Sequence, residues 1–444
     1  MVKLILAIDE NSGIGYGNKL PWNIKEELSH FKKMTLNNTL VVGRKTAETL
    51  PYLEDRKILV LSRNNIENPN YANQVKIIHK LPENNDNVII AGGKEVYMEA
   101  LTKEKYVDTI YLSVVKGNYA STIVLDKFYE LVKGFYIDFV ENYNQFTYFK
   151  LIRKDHGELQ YLDLMKEILN NNNVKVGRNG KTLSKFNANF TFDLRNGFPL
   201  LTTKKMFFRG IVEEFLFFLK GETDTKILSD KKVKIWEGNT TKDFIKSKNL
   251  DYAEGVMGPM YGYQWRNFNA PYLLDKDKKP LNIRSGIDQL TNVIELINNE
   301  PASRRILMTS YNPAQAEEGV LYPCHSIIIQ FNVDNEFLDM FCYNRSQDLF
   351  LGVPYNIASS SILLTLIANI TNKTPRNLHM TMGDVHIYDS HIDSVKEQLN
   401  ETRIPYKFPK LKINNYEDYD NLSFEDFVLS DYNCHFAIKA NMVA

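Results

Sequence analysis

Two short stretches of this 444-residue chain hold side chains that could attack and bind a nucleotide base. Cys324 lies in the sequence Tyr-Pro-Cys-His, and a cysteine attacks as its thiolate, which a neighbouring cation or a pocket with aligned donors makes accessible. Downstream, Arg345 and Ser346 suit a phosphate, whereas Asp348 and Asn356 suit a flat polar ring. Their closeness in the sequence predicts nucleophilic attack on a nucleotide base.

The elements around the cysteine must position it. Pro323 fixes the turn before Cys324, and the apolar run 326–331 predicts a buried strand, so the thiol would lie at a strand entrance. His325 and Arg345 are the candidate cations near it. On Pro-Cys-His alone, the alternative of a small buried apolar side chain stays open, because that is the commoner role of a lone cysteine.

Residues 157–444 resemble thymidylate synthase over nearly their whole length. The matching segments are HGELQYL, FPLLTTKK, EEFLFFLKG, VKIWEGN, GPMYGYQWR, SRRI, PCH, NRSQD, LGVPYNIAS and GDVHIY. The resemblance implies an α+β fold with a mixed sheet and buried helices. It also implies methylation of deoxyuridylate (dUMP) at ring carbon 5 to thymidylate (dTMP), with methylenetetrahydrofolate giving both the one-carbon unit and a hydride.

The resemblance assigns roles to individual residues of the second half. The catalytic residues that it implies are Cys324, Glu214, Tyr261 and Asp348. The dUMP-binding residues that it implies are Arg178, Arg304, Arg305, Arg345, Ser346, Asn356, His386 and Tyr388. Folate would be held by Trp236 and Asp348 and covered by the C-terminal tail, and no metal is expected. Asn344 stands where the family usually has a glutamine.

Two adjacent arginines, Arg304 and Arg305, precede the predicted strand 306–309. Adjacent strand residues point to opposite faces, so the pattern alone leaves open one solvated arginine and one salt-bridged arginine. In thymidylate synthases this pair reaches the phosphate site of the other subunit. The resemblance therefore implies a homodimer through the second domain with shared active sites.

Glu214 lies in a segment, 210–219, that is apolar nearly all round. This pattern predicts a buried helix, ended by Gly221. An ionised buried carboxylate costs several kcal/mol unless it is hydrogen-bonded or functional. In the resembled family the matching glutamate relays protons through waters to the base.

The composition limits the partners of the chain. Lys plus Arg and Asp plus Glu both total 54, so no net field attracts it to nucleic acid or to a membrane. Three cysteines at no metal-like spacing argue against a disulfide framework and fit a reducing compartment, so a cytoplasmic location is expected. The apolar run 1–8 predicts a first strand rather than a signal peptide, and no apolar stretch of about 18 residues that could span a bilayer is expected.

Residues 2–154 alternate between predicted strands and helices. The predicted strands are 2–8, 39–42, 58–61, 88–91, 109–115, 135–140 and 146–152. The early strands are continuous apolar runs, as expected for a parallel sheet covered on both faces. The last two, separated by a polar turn, predict an antiparallel hairpin.

Glu27 is the candidate acid of this first half. Asn23 with Glu26 three residues later is typical of a helix start. In that helix, Ile24 and Phe31 would lie on the same face as Glu27, where burial raises the pKa of a carboxyl and lets it manage a proton. The alternative of an exposed helical Glu27 beside Glu26 stays open on this pattern.

Basic and hydroxyl side chains follow two predicted strands. Val41-Val42-Gly43 leads into Arg44-Lys45-Thr46, and Leu59-Val60-Leu61 leads into Ser62-Arg63, which suits phosphate binding. Gly92-Gly93 follows strand 88–91 and precedes a predicted helix, where glycines let the backbone approach a pyrophosphate closely. A simple turn is the alternative for a lone Gly-Gly.

Residues 1–154 resemble dihydrofolate reductase through GIGYGNKLPWN, FKKMT, VVGRKT, DRKILVLSRN and VIIAGGKEVY. The resemblance implies an α/β fold with a central, mostly parallel sheet and flanking helices, and hydride transfer from NADPH to dihydrofolate. It implies Glu27 as the active-site acid and Phe31, Arg56, Ile90 and Ser113 as folate-site residues, with Ser113 where the family usually has a threonine. The implied cofactor contacts are Arg44, Lys45, Thr46, Ser62, Arg63, Gly92, Gly93 and Tyr97.

The sequence thus predicts a bifunctional enzyme with a reductase domain at 1–154, a short junction at 155–159 and a synthase domain at 160–444. It would bind dUMP and folates and use NADPH. A regulatory or RNA-binding protein that keeps the folds without activity is the rival from another class, and a chain with one active site is an intermediate case. The neutral charge gives the RNA-binding alternative no electrostatic support.

Overall fold

The computed structural model describes residues 2–17, 19–63, 75–83, 87–154, 156–171, 173–177, 180–281 and 283–443. The chain forms two compact units. The first comprises Met1–His156 with Glu401–Lys407, and the second comprises Gly157–Asn400 with Phe408–Ala444.

The first unit is built on an eight-stranded sheet. Its elements are β1 (Val2–Asp9), β2 (Gly13–Gly15), α1 (Lys25–Thr35), β3 (Thr39–Gly43), α2 (Arg44–Thr49), β4 (Lys57–Leu61), β5 (Val75–Ile78), β6 (Val88–Ile90), α3 (Lys94–Thr102), β7 (Val107–Val115), β8 (Ile123–Val124), α4 (Phe128–Leu131), β9 (Phe135–Asn142) and β10 (Phe146–Arg153). The strand order is β5-β4-β3-β6-β1-β7-β10-β9. The strands from β5 to β7 are parallel, and β10 pairs antiparallel with both β7 and the edge strand β9.

The predicted α/β class and the β9–β10 hairpin are confirmed. Strand β1 is buried over most of its length because helices and loops cover both faces of a mostly parallel sheet. The predicted helix that contains Glu27 and Phe31 is present as α1, but the capping signature at Asn23 and Glu26 is wrong: α1 begins at Lys25, and its N-cap Ile24 makes no side-chain cap bond.

The second unit contains a six-stranded mixed sheet packed against helices. Its elements are α5 (Gly157–Asn171), β11 (Val174–Gly177), β12 (Gly180–Asp193), α6 (Phe208–Leu219), α7 (Lys226–Asp230), α8 (Lys242–Ser247), α9 (Gly262–Asn267), α10 (Gln289–Asn299), β13 (Leu307–Thr309), β14 (Ile328–Asp334), β15 (Phe337–Asp348), α11 (Gly352–Ile370), β16 (Thr374–Tyr388), α12 (Ile392–Gln398), β17 (Lys410–Ile413) and β18 (Phe427–Ser430). The sheet order is β11-β12-β16-β15-β14-β13, with one parallel pair, β15–β16.

Two apolar helices form the centre of this unit. In α6 every residue from Gly210 to Leu219 is buried, as predicted, and Gly221, with φ +74°, follows its C-cap. Helix α11 is 19 residues long and apolar enough to cross a membrane by length and composition, so the expectation of no such stretch is wrong. In the most apolar 18-residue stretch of α11, 72% of the helix is buried inside the protein. The helix is therefore weak support for a membrane span.

The sheet of the second unit has an uncovered face on which three of the four residues named below are apolar. The strand predicted at 326–331 is present as β14, but its residues alternate, with Ile329 buried and Ile328 and Gln330 exposed, so the prediction that the strand is buried is wrong. The register aligns Leu307, Gln330 and Phe341 across three strands, and all three are exposed. We call Leu307, Ile328, Gln330 and Phe341 the open sheet face.

Candidate active sites

The first unit contains a large cleft at the carboxyl ends of its parallel strands. Its volume is about 1690 Å³. The end of β3, the end of β4 and the residues after β6 all reach it, as expected where parallel strands end at one edge of a sheet. The predicted residues that line it are Glu27, Phe31, Arg44, Lys45, Thr46, Arg56, Gly92, Gly93 and Tyr97.

The other predicted residues of the first half lie near this lining. Ile90 is completely buried in the core, and the next residue, Ala91, lines the cleft. Ser62 and Arg63 directly follow Leu61, which also lines it. Ser113 is buried on β7.

Glu27 is the buried carboxyl of the cleft, with 7% of its surface exposed, while Glu26 is exposed. The alternative of an exposed Glu27 is therefore wrong. Burial raises the pKa of Glu27, and a hydrogen bond from the Ser113 side chain opposes that shift. The carboxyl therefore holds a proton more readily than a solvated glutamate does.

Arg56 is fixed against the C-terminal half of α1. It donates hydrogen bonds to the carbonyls of Lys32 (2.8 Å) and Glu54 (2.6 Å) and to the Thr35 hydroxyl (3.2 Å). Only 5% of the surface of Arg56 is exposed. Because these bonds hold it, the guanidinium has a single defined orientation at the cleft. Such a cation suits a carboxylate.

Gly92 and Gly93 bring backbone close to α2. Gly92 has φ +129°, a conformation that favours glycine, and its carbonyl accepts a 2.7 Å bond from the Gly43 amide. A Cβ on Gly93 would lie 2.9 Å from the Thr46 hydroxyl oxygen. Glycine is therefore required here for the close approach of two cleft-lining segments.

Cys324 lies in the second unit, against Tyr261. The Tyr261 hydroxyl accepts a 3.1 Å bond from the Cys324 amide and lies 3.4 Å from Sγ. Burial raises the pKa of the Cys324 thiol, while the Tyr261 bond and the charge of Arg345 lower it, and the net direction is upward. His325 supplies no charge, because burial lowers its pKa to about 4; the expectation of a cation there is wrong.

Strand β15 holds the loop that carries the cysteine. Arg345 donates through Nε to the Pro323 carbonyl at 2.7 Å and through a terminal nitrogen to the Tyr322 carbonyl at 2.9 Å. The Ser346 amide donates to the Cys324 carbonyl at 3.2 Å. Arg345 and Ser346 are thus brought to the cysteine, as predicted from their spacing.

Glu214 projects from the buried helix α6 toward Cys324 and Tyr261. Burial raises the pKa of Glu214 to about 7, and a 2.8 Å hydrogen bond from the indole of Trp236 opposes that shift. Its charge also affects the titration of Cys324 and Tyr261, which are therefore its neighbours. A carboxyl that titrates near neutral pH can both accept and release a proton.

An aromatic stack supports Tyr261 from behind. Its ring stacks on Phe218 at 4.9 Å and on His325 at 4.4 Å between centroids. Tyr261 also has φ +43°, which is uncommon for a bulky residue and is fixed by this packing. Sequence reasoning missed Phe218 in this role and read His325 only as a charge.

The remaining polar groups form pairs. Asn356 is buried and donates from Nδ2 to Gln347 at 2.7 Å. Asp348 accepts from the amides of Phe350 (2.9 Å) and Leu351 (3.2 Å), where α11 begins. On β16, His386 contacts Asp384 at 2.9 Å, and the ring centroids of His386 and Tyr388 lie 5.0 Å apart. No sequence pattern singled out Gln347 or Asp384 as partners.

Two predicted arginines make no described contact with the cysteine. Arg304 and Arg305 are exposed, and Arg305 pairs with Glu300 at 3.3 Å. Among hydrogen bonds and ion pairs within the described ranges, none joins either arginine to Cys324. Arg178 lies outside the described residues.

Comparison with known proteins accounts for both sites. The family model for thymidylate synthase matches residues 159–444, and that for dihydrofolate reductase matches residues 1–144. A bifunctional dihydrofolate reductase-thymidylate synthase of Paramecium tetraurelia is 36% identical over 465 residues, covering 99% of this chain and 98% of the relative. Its counterpart in Leishmania major is 33% identical over 504 residues, covering 99% and 94%. The chain belongs to the bifunctional dihydrofolate reductase–thymidylate synthase family.

Membership confirms several sequence predictions for this dihydrofolate reductase–thymidylate synthase. The fold class, the two enzyme activities and the two overall reactions, dUMP to dTMP and dihydrofolate to tetrahydrofolate, are those of the two families. The reductase family implies NADPH, and the synthase family implies methylenetetrahydrofolate.

The synthase site also contains a buried lysine to which the sequence motifs assign no role. Lys204, in the segment FPLLTTKK, donates from Nζ to the Phe350 carbonyl at 2.5 Å. Burial lowers the pKa of Lys204 to about 7, although the charges of Asp348 and Glu158 oppose that shift. A lysine three residues after the apolar run Phe-Pro-Leu-Leu was the available signal, because buried lysines are rare unless paired.

Proposed function

We propose that thymidylate formation proceeds through a covalent adduct between Cys324 and ring carbon 6 of dUMP. Addition of the thiolate makes carbon 5 nucleophilic, so that it can attack the one-carbon group of methylenetetrahydrofolate. The contact of Cys324 with Tyr261 (3.4 Å), beside Arg345, is the observation that carries this proposal. Because burial raises the pKa of the thiol, the arginine and tyrosine must offset that cost when the thiolate forms.

Proton transfer from carbon 5 is assigned to Glu214, acting with Tyr261 through water. The pKa of Glu214, raised to about 7 by burial, suits a group that must accept and release protons near neutral pH. Its removal of the carbon 5 proton frees tetrahydrofolate, which then donates its hydride. Trp236, which holds Glu214, and Asp348 would hold the folate, with the C-terminal tail as its cover.

Asn356 would read the base. Its amide can offer a donor and an acceptor to the ring NH and carbonyl of uracil. The bond to Gln347 supports this role because it fixes the orientation of the amide. His386 and Tyr388, in ring contact with each other, would bind the sugar hydroxyl.

The phosphate would be held by Arg345 and Ser346, by Arg178, and by Arg304 and Arg305 of a second copy. Each charge-assisted hydrogen bond to such an anion contributes about 1.5–3 kcal/mol. The exposure of both Arg304 and Arg305 supports a homodimer with shared sites. The open sheet face supports it too, because a second copy would remove this apolar surface from water.

In the first unit, NADPH would supply the hydride that reduces dihydrofolate. Its binding is assigned to Arg44, Lys45, Thr46, Ser62, Arg63, Gly92, Gly93 and Tyr97, and the close approach of the Gly92–Gly93 backbone to α2 suits a diphosphate. Phe31, Ile90 and Arg56 would hold dihydrofolate. Glu27, with Ser113, would support protonation of the pterin.

We further propose 1–154 and 160–444 as the functional domains, with 155–159 as the junction. Both reactions would run without a metal ion, in the cytoplasm, on free dUMP and folates. No membrane or nucleic acid is required.

The test mixes purified protein with dUMP, methylenetetrahydrofolate and NADPH. Thymidylate is followed by chromatography and NADPH by absorbance, and one NADPH oxidised per thymidylate is expected. Cys324→Ala should lower thymidylate formation by at least about 1000-fold and leave reduction of added dihydrofolate unchanged.

Cys342→Ser is the matched control, because Cys342 is completely buried and a serine keeps an acceptor for Asn344. It should retain thymidylate formation. Equal loss of both activities in Cys324→Ala would contradict the two-site proposal. Thymidylate without NADPH oxidation would leave only the synthase site active.

A further inference from the structure

His391 touches three parts of the synthase site at once. It ends the short helix Asp389–His391 between β16 and α12, and its side chain is completely buried. Its Nε2 lies 2.8 Å from the carbonyl oxygen of Asn441 in the C-terminal tail. Its Nδ1 lies 3.7 Å from Oδ1 of Asp348, and its ring centroid lies 5.6 Å from that of Tyr388.

The tail contact fixes the role of one ring nitrogen. The Asn441 carbonyl can only accept, so Nε2 of His391 must carry a hydrogen. A second bond, from the Ser394 hydroxyl to the Lys439 carbonyl at 3.1 Å, attaches the tail to α12 nearby. Of these two bonds to the tail, only the one made by the histidine comes from a side chain that also faces Asp348.

With Nε2 protonated, the protonation of Nδ1 decides whether the Asp348 carboxylate faces a lone pair or an N–H donor. In the neutral ring, Nδ1 would present a lone pair toward a carboxylate oxygen. Nδ1 is buried, and within the described ranges it has no hydrogen-bond partner. At 3.7 Å the pair is longer than a hydrogen bond, and a shift of about 1 Å would make it one if Nδ1 carried a proton.

The charges around the ring favour that proton. Burial by itself lowers the pKa of His391, but the contacts with Asp348 and the Asn441 carbonyl raise it, and Lys204 opposes them. The net direction is upward. Tyr388 also faces the ring, at 5.6 Å.

We propose that His391 is a positioning residue of thymidylate synthesis, whose imidazolium ties the C-terminal tail to Asp348. Closure of the tail and orientation of the folate-binding carboxylate would then occur together. This role depends on the folate contact proposed above for Asp348. It adds a residue that the sequence motifs did not mark, because its partners lie 43 and 50 positions away in the chain.

Two substitutions of His391 each keep a polar atom at the position of one ring nitrogen. The amide of His391→Gln reaches the position of Nε2, whereas that of His391→Asn reaches the position of Nδ1. Both variants lack the imidazolium, and each should raise KM for methylenetetrahydrofolate roughly tenfold, the loss of about one charge-assisted hydrogen bond. The affinity for dUMP and the reductase activity should not change.

The pH profile gives a readout that packing alone would not move. In the wild type, kcat/KM for methylenetetrahydrofolate should fall as pH rises through the pKa of His391, which lies above the ordinary value of 6.5. The two variants should lack this alkaline decline. Ser394→Ala is the matched control, since it removes a tail bond without touching Asp348, and it should keep the decline.

A chain that ends after Ala440 tests the same link without altering the buried ring. It removes the Asn441 carbonyl and should also lose the alkaline decline, and adding His391→Gln to it should have little further effect. A decline that persists in the shortened chain, or a full additional effect of His391→Gln, would overturn the proposal. A wild-type enzyme that made no thymidylate would instead overturn the proposed function.

Discussion

The indole Nε1 of Trp236 donates a 2.8 Å hydrogen bond to Oε1 of Glu214, across 22 positions of the chain. Both side chains are buried to 9% exposure. Burial raises the pKa of Glu214 to about 7, and the Trp236 bond opposes that shift by favouring the charged form. The indole of Trp236 thus limits how far burial raises the pKa of Glu214.

Trp236→Phe removes this donor while keeping an aromatic ring. Because a bond to the charged form is lost, the pKa of Glu214 should rise further, and the Glu214-dependent step in the pH profile of thymidylate formation should move upward by about one pH unit. Trp265→Phe is the control, since that indole is also buried but donates to the Ser310 hydroxyl at 2.8 Å. An unmoved step in Trp236→Phe would exclude this coupling.

Ser113 tunes the acid of the reductase site in the same manner. Its hydroxyl lowers the pKa of Glu27, which burial raises. Ser113→Ala should therefore move the Glu27-dependent step in the pH profile of dihydrofolate reduction upward, by up to about one pH unit. Ser113→Thr keeps a hydroxyl and should leave the step in place. A profile that both variants share would show that the hydroxyl has no such effect.

Asn356→Asp should reduce the preference for dUMP over deoxycytidylate. A carboxylate loses the N–H that an amide offers, so it pairs with a cytosine amino group better than with a uracil carbonyl. The ratio of kcat/KM for the two nucleotides should fall by at least about 100-fold in a competition assay. Gln347→Leu, which only frees the amide to rotate, should lower both values without reversing the preference.

Element positions followed from the sequence where apolar runs were long and covered on both faces. Strands β1, β3 and β7 lie where they were predicted, because a parallel sheet between helices demands continuous apolar residues. The exposed residues of β14 could not be predicted, since hydrophobicity does not say which face another element covers. The prediction that Asn23 caps α1 is wrong because the helix begins at Lys25, so Asn23 lies one residue before the N-cap position.

The chemical groups of the sites followed from motifs, but their pairings did not. Cys324, Arg345 and Ser346 share one loop and one strand, so short spacing predicted their meeting. His325 illustrates the limit: beside the cysteine in sequence, it is neutral because the fold buries it. The contact between His391 and Asn441 depends on the path of the tail, which no local pattern encodes.

Gly262 links the helix that carries Glu214 to the residue that contacts Cys324. It follows Tyr261 directly and opens α9, and a Cβ there would overlap the backbone of Phe218 in α6. Gly262→Ala should therefore force the two helices apart and lower the free energy of unfolding of the synthase unit by about 1–3 kcal/mol or more.

Gly238→Ala is its control, because Gly238 is exposed and an added Cβ would meet no atom within 4 Å. Its free energy of unfolding should stay within about 0.5 kcal/mol of the wild type. Denaturant unfolding measures both variants, and thymidylate formation should fall in Gly262→Ala alone while dihydrofolate reduction is kept. Equal destabilisation of the two variants would mean that the contact between α6 and α9 is not the tight one described, because only Gly262 lies against backbone that cannot move aside.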